Sequence, residues 1–156
     1  VYYFFYLFYW IMYLRKGKIL LIIFSISISC SKERLNNNPY LQNISFTKTI
    51  NLNLPQYDNL KFNGGSIHLQ NVGIKGVLLF NINDQIMAWE ASCPNHLPSN
   101  CSTMSITGVQ SHCKCENYKY SLATGQLLST ENLGENIYPM LSYFSEKNGN
   151  SLRISN

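Results

Sequence analysis

The sequence predicts an all-β domain, a sandwich or barrel of short antiparallel strands, behind an apolar leader. Three observations predict it. No run past Cys30 carries the 3.6-residue periodicity of a long amphipathic helix. The same stretch is a succession of short alternating or β-branched runs. Asn, Asp and Gly stand between those runs at the spacing of tight turns.

The leader comes first in the chain. Residues 1–30, "VYYFFYLFYWIMYLRKGKILLIIFSISISC", are almost wholly apolar or aromatic. From Met12 they follow the order of a secretory signal: the basic stretch "MYLRKGK", the apolar core "ILLIIFSISI", then Ser29-Cys30. The apolar core is about ten residues, short for a bilayer span. A single helix through residues 1–28 would place Arg15, Lys16 and Lys18 inside the bilayer, at a cost of a few kcal/mol each. Residues 1–11 do not fit the signal pattern and read as sequence upstream of a start at Met12. The small residue before Cys30 resembles the lipobox of bacterial lipoproteins, with Ser27 where leucine is usual. That resemblance implies lipidation of Cys30, a membrane anchor through the lipid, and export to the periplasm or outer membrane. Residues 31–42, "SKERLNNNPYLQ", read as a flexible tether, and 43–156 as the domain.

The runs of the domain then follow in order. Residues 45–54, "SFTKTINLNL", alternate and stop at Pro55. Residues 59–71 are expected to hold two short strands around Gly64-Gly65. Residues 76–91, "GVLLFNINDQIMAWEA", give the clearest hairpin, turning at Asn83-Asp84 and running straight into Cys93. Residues 103–112 predict a strand or turn pair around Gly108. Residues 118–128 predict a hairpin turning at Thr124-Gly125, and 141–155 a closing hairpin around Asn148-Gly149-Asn150.

Composition excludes several function classes. The formal net charge is +4, but Arg15, Lys16 and Lys18 carry three of those charges within the leader. The remainder, roughly +1, offers no basic face for nucleic acid. Gly64-Gly65 is followed by no Lys-Ser/Thr and no helix pattern, so it is not a phosphate loop. No Ser-His-Asp set appears with its local signatures.

The chemistry is concentrated in two boxes. "CPNHLPSNC" spans Cys93 to Cys101, and "CKCENYKYSLATGQ" opens at Cys113, about twenty residues after Cys93. With Cys30 lipidated, four cysteines remain in an exported domain: Cys93, Cys101, Cys113 and Cys115. An even number in an oxidising compartment points to disulfides, with three pairings open. Zinc is a further reading, through Cys93, His96, Cys113 and Cys115, although Cys-x-Cys is an unusual spacing for it.

These boxes, with the hairpin that enters the first of them, resemble the Rieske iron–sulfur domain. The resemblance runs from about residue 43 to the C-terminus and is sharpest over 76–128. It includes Tyr120 with Thr124-Gly125, which match the family's strand and turn after the second box. It is similar in particular to exported Rieske-like lipoproteins of flavobacterial type. The resemblance implies a Rieske-type antiparallel β-sandwich or barrel with two Cys-containing loops. It implies an electron-transfer protein, not a stand-alone enzyme, which works with a redox partner. By position it assigns Cys93 and Cys113 as cysteine ligands of a [2Fe-2S] cluster and Cys101 with Cys115 as the family's disulfide.

The histidine slots depart from the pattern. The first falls on Asn95, with His96 one residue later, and the second falls on Glu116. A Rieske centre sets two thiolates on one iron and two neutral imidazoles on the other. A ligand set of Cys93, His96, Cys113 and Glu116 puts a carboxylate in place of one imidazole, which adds negative charge and lowers the potential. The alternative is a cluster-free, disulfide-stapled binding or structural module. In it Cys101–Cys115 keeps the family's pairing, and Cys93–Cys113 joins the two thiols that a lost cluster leaves facing each other.

Overall fold

The computed structural model describes residues 38–128 and 137–156. The leader, Cys30 and the tether up to residue 37 lie outside the described residues. Among the described residues nine strands make three antiparallel sheets of three strands each. The first sheet has the order β1-β9-β8, from Thr47–Asn51, Ser151–Ser155 and Phe144–Asn148. The second is β2-β3-β4, from Ser66–Leu69, Val77–Ile82 and Gln85–Glu90. The third is β5-β6-β7, from Ser105–Thr107, Gln110–Cys113 and Tyr118–Ser121. The domain is all-β and antiparallel, as the alternating runs predict. Among the described residues no helix is long and apolar enough to cross a membrane.

The hairpins turn where their sequences require it. Asn83 and Asp84 both take positive φ, at 50° and 67°, and join β3 to β4 with Ile82 facing Gln85. Two consecutive left-handed residues give the turn whose twist matches the strands. Gly108 joins β5 to β6, and Gly149 joins β8 to β9, again at positive φ.

Residues 59–71 differ from the expectation. They hold one strand, β2, because Pro55–Lys61 forms a single 3-10 helix before it. Pro55 has its φ fixed near the helical value and lacks an N–H that a first turn would leave unpaired. Tyr57 and Leu60, three residues apart, then share one side of the 3-10 turn, and both are buried. The alternation in that run serves a helix that begins before it. The end of the expected tether is also packed on the domain. Asn38 caps the backbone N–H groups of Tyr40 and Leu41 and donates to the Pro94 carbonyl at 2.7 Å, and Leu41 is buried.

Two apolar clusters share β3 between them. Val77 and Leu79 face one, with Ile50, Leu60, Leu152 and Ile154. Leu78 and Phe80 face the other, with Trp89, Met104, Tyr120, Leu122 and Met140. A strand buried on both faces reads as a continuous apolar run, and "VLLF" is one. The second cluster also contains Cys93 and Cys113, so the two boxes are built directly on the core.

The candidate site at the two cysteine loops

Each cysteine loop is closed at its base by β structure. β4 continues into an antiparallel bridge between Ser92 and Thr103, with Cys93 N–H on the Ser102 carbonyl and Met104 N–H on that of Ala91. Residues 94–101 therefore form a loop with a fixed neck. The second loop is the turn between β6 and β7, where Cys113 pairs with Tyr118. Asn117 turns it at φ 60°, and His112 Nε2–H donates to the Asn117 side chain at 2.9 Å. His112 is spent on that turn, and His68 lies in β2 with Nε2 3.0 Å from the Lys75 carbonyl oxygen.

A buried carboxylate anchors the neck from below. Glu90 is fully buried. It accepts from the backbone N–H groups of Ile74, Lys75 and Ser92 at 2.8 Å each, and from the Tyr143 hydroxyl at 2.5 Å. Four donors replace the water a buried carboxylate loses. Burial, and then the adjacent Glu90 charge, push the Tyr143 hydroxyl above its ordinary range.

The disulfides join loop to loop. Cys93 is bonded to Cys113, and Cys101 to Cys115. The inner pair is at 0% exposure, whereas Cys101 is exposed and Cys115 half-buried. Ser99 braces the outer pair, with its Oγ 3.3 Å from Cys101 Sγ and 3.9 Å from Cys115 Sγ. His96 stands over the inner pair, its Nε2 3.7 Å from Cys113 Sγ. Its Nδ1–H donates to the Leu97 carbonyl at 2.9 Å. The donor atoms of Cys93, His96, Cys113 and Cys115 all lie within 4.8 Å of one another. Glu116 is not one of that group.

The two histidine slots hold residues with other surroundings. Asn95 makes three hydrogen bonds. Its Nδ2 donates to the Tyr120 hydroxyl at 2.7 Å and to the Tyr138 carbonyl at 3.1 Å, and its Oδ1 accepts from Tyr138 N–H at 2.7 Å. It thus ties the first loop to β7 and to the segment that carries Met140, whose N–H bonds the Gly125 carbonyl. Glu116 has its Oε2 buried with no hydrogen-bond partner among the described residues. The Tyr120 hydroxyl is held above its ordinary range, first by burial and then by the Glu116 charge, while the Asn95 bond works the other way.

The donor set can therefore be tested against a Rieske centre. That centre needs two free thiolates and two imidazoles. Here the two assigned thiols form a disulfide, one imidazole is near, the first slot is an amide engaged in backbone bonds, and the second is a carboxylate. The residues do not fit the cluster in this form.

Sequence reading missed Glu90 and the work done by Asn95. Apart from the Glu90 bond to Ser92 N–H, their partners lie 15 to 53 residues away, which local spacing does not encode. The one available signal for Glu90 was an acid closing an otherwise apolar strand.

No protein-family model matches the chain, and no curated protein matches it. Several solved structures are similar. The ferredoxin of carbazole 1,9a-dioxygenase from Nocardioides aromaticivorans IC177 is 13% identical, with 72% of this chain covering 97% of that one at a TM-score of 0.45. A complex of reduced oxygenase and oxidized ferredoxin in carbazole 1,9a-dioxygenase is 18% identical, with 60% of this chain covering 82% of that one at 0.43. The Sphingomonas yanoikuyae B1 ferredoxin is 12% identical, with 61% covering 88% at 0.42.

Proposed function

We propose that this chain is an exported, lipid-anchored Rieske-like domain whose cluster position is closed by a disulfide. It acts as a stapled binding module and not as a [2Fe-2S] electron carrier. The observation that carries this reading is the Cys93–Cys113 bond at the two assigned thiol ligands, beside a first slot occupied by the structural Asn95. The cysteine boxes and the Tyr120, Thr124-Gly125 pattern support the family. The oxidising compartment that the leader implies supports the disulfides. On this reading Cys30 supplies the anchor and the partner is a macromolecule outside the cytoplasm. The test is the iron, acid-labile sulfide and free-thiol content of the full chain, purified in detergent without reductant. Four cysteines in disulfides and no iron or sulfide support the proposal, and stoichiometric iron with sulfide overturns it.

One observation favours a second reading. Glu116 Oε2 is buried and has no partner among the described residues, as a ligand oxygen would be without its metal. On that reading Cys93, His96, Cys113 and Glu116 hold a cluster once the inner disulfide is reduced. Glu116→Gln separates the two, because it abolishes iron uptake only if the carboxylate is a ligand.

A further inference from the structure

The inner disulfide is buried and the outer one meets solvent, yet three of their four sulfurs, those of Cys93, Cys113 and Cys115, lie in one cluster. Cys93 and Cys113 are at 0% exposure, so a reductant in solution cannot reach their sulfurs without opening the fold. Cys101 is exposed. Its partner, Cys115 Sγ, lies within 4.8 Å of both inner sulfurs. His96 Nε2 lies 3.7 Å from Cys113 Sγ, the inner sulfur it can assist as a leaving group.

We infer that the two disulfides form a relay, in which the exposed Cys101–Cys115 pair passes two electrons from an external dithiol to the buried Cys93–Cys113 pair. The inference rests on the cluster-free reading above. Thiol–disulfide exchange proceeds by thiolate attack on a sulfur, and the better leaving thiolate departs faster. First, one thiolate of the dithiol attacks Cys101 Sγ, the Cys101–Cys115 bond breaks, and Cys115 leaves as a thiolate. The second thiol of the dithiol then closes its own disulfide and releases Cys101 as a thiol. Next, the Cys115 thiolate attacks Cys93 Sγ and breaks the Cys93–Cys113 bond. Cys113 leaves as a thiolate beside His96, whose Nε2 lies 3.7 Å from its sulfur. Last, Cys101 attacks Cys115 in the new Cys93–Cys115 bond, restores the outer disulfide and frees Cys93. One dithiol is oxidised, the inner pair gains two electrons and two protons, and the outer pair is regenerated. Ser99 Oγ, beside both outer sulfurs, is a hydroxyl placed to donate to the transient thiolates.

A purely structural pair of staples behaves oppositely. Removing the outer staple would loosen both loops and speed reduction of the inner one. The relay predicts the reverse. The experiment uses the full chain in detergent under nitrogen, with limiting dithiothreitol, alkylating quench and peptide mapping by mass spectrometry. In Cys101→Ser/Cys115→Ser, reduction of Cys93–Cys113 is expected to slow by about tenfold or more, because only the opened fold then exposes it. An equal or faster rate overturns the relay. Cys101→Ser alone leaves a free Cys115 thiol and tests the transfer without any reductant. It is expected to equilibrate into a mixture of Cys93–Cys113 and Cys93–Cys115, and a sample holding only Cys93–Cys113 overturns the inference even where the double variant does not fold. Added to Cys101→Ser, His96→Ala is expected to let Cys113–Cys115 appear beside Cys93–Cys115, since the preference for the leaving sulfur is gone. An unchanged product ratio removes His96 from the relay. Thiol titration before any reductant separates the two failures. Free thiols at Cys93, Cys101, Cys113 or Cys115, or iron, at that stage sink the cluster-free reading, whereas two intact disulfides with no interchange sink only the relay.

Discussion

Replacing Asn95 by alanine removes three hydrogen bonds at once and leaves their partners in place. The Tyr138 N–H and carbonyl lose their tie to the first cysteine loop, and the Tyr120 hydroxyl, on a fully buried ring, loses its acceptor-side partner. A net contribution of about 0.5–1.5 kcal/mol per bond gives about 3 kcal/mol for the set. In a domain of this size that corresponds to a fall of about 10 °C in Tm. Differential scanning calorimetry on the oxidised protein measures it. Asn95→His is the informative companion, because it restores the residue type of the first histidine slot. An imidazole cannot donate to Tyr120 while also donating to and accepting from the Tyr138 backbone, so it should lose most of the same stability and gain no iron. A Tm for Asn95→Ala within about 2 °C of the parent would refute the reasoning that this slot has become a structural clamp. So would iron uptake by Asn95→His.

Further predictions concern the neck, the turn and the tyrosines. Tyr143→Phe removes a hydrogen bond to the buried Glu90 carboxylate and should cost about 1.5–3 kcal/mol in urea unfolding. Gly125→Ala should be worse than an ordinary surface change and should alter the near-ultraviolet signal of Trp89. A methyl group there would lie 2.6 Å from the Trp89 ring, at a residue held at φ 72°. Tyr120 and Tyr143 are both held neutral in the fold, above their unfolded value. Their contribution to stability is therefore complete below about pH 10 and is lost as pH rises beyond it, so the urea midpoint should fall on the alkaline side. Tyr143→Phe should flatten that fall. Glu116→His should leave the oxidised protein without iron. If reduced protein takes up iron and sulfide only after that change, the natural chain lacks a complete ligand set.

Much of the fold was legible because turns are local. Asn83-Asp84, Gly108 and Gly149 mark their hairpins with residues that tolerate positive φ. What was not legible depends on distance or on a competing local rule. Nothing near Thr47 says that β1 will pair with β9, about a hundred residues later, and this pairing closes the first sheet. The 3-10 helix at Pro55–Lys61 was hidden because a strand-like alternation overlapped it, while Pro55 acted as a helix start and not only as a strand stop. The site divides in the same way. The four cysteines and His96 could be placed together from spacing and resemblance. The work of Glu90 and Asn95 could not, because each is defined by bonds made across the domain.

The measurement that bears most directly on the account is a combined assay of iron, acid-labile sulfide and free thiol on the full chain, purified anaerobically in detergent without added reductant. The account predicts no iron, no sulfide, and no thiol at Cys93, Cys101, Cys113 or Cys115, with mass spectrometry returning the Cys93–Cys113 and Cys101–Cys115 cross-links. Stoichiometric iron and sulfide, with Cys93 and Cys113 released as thiols only after the metal is removed, would contradict it.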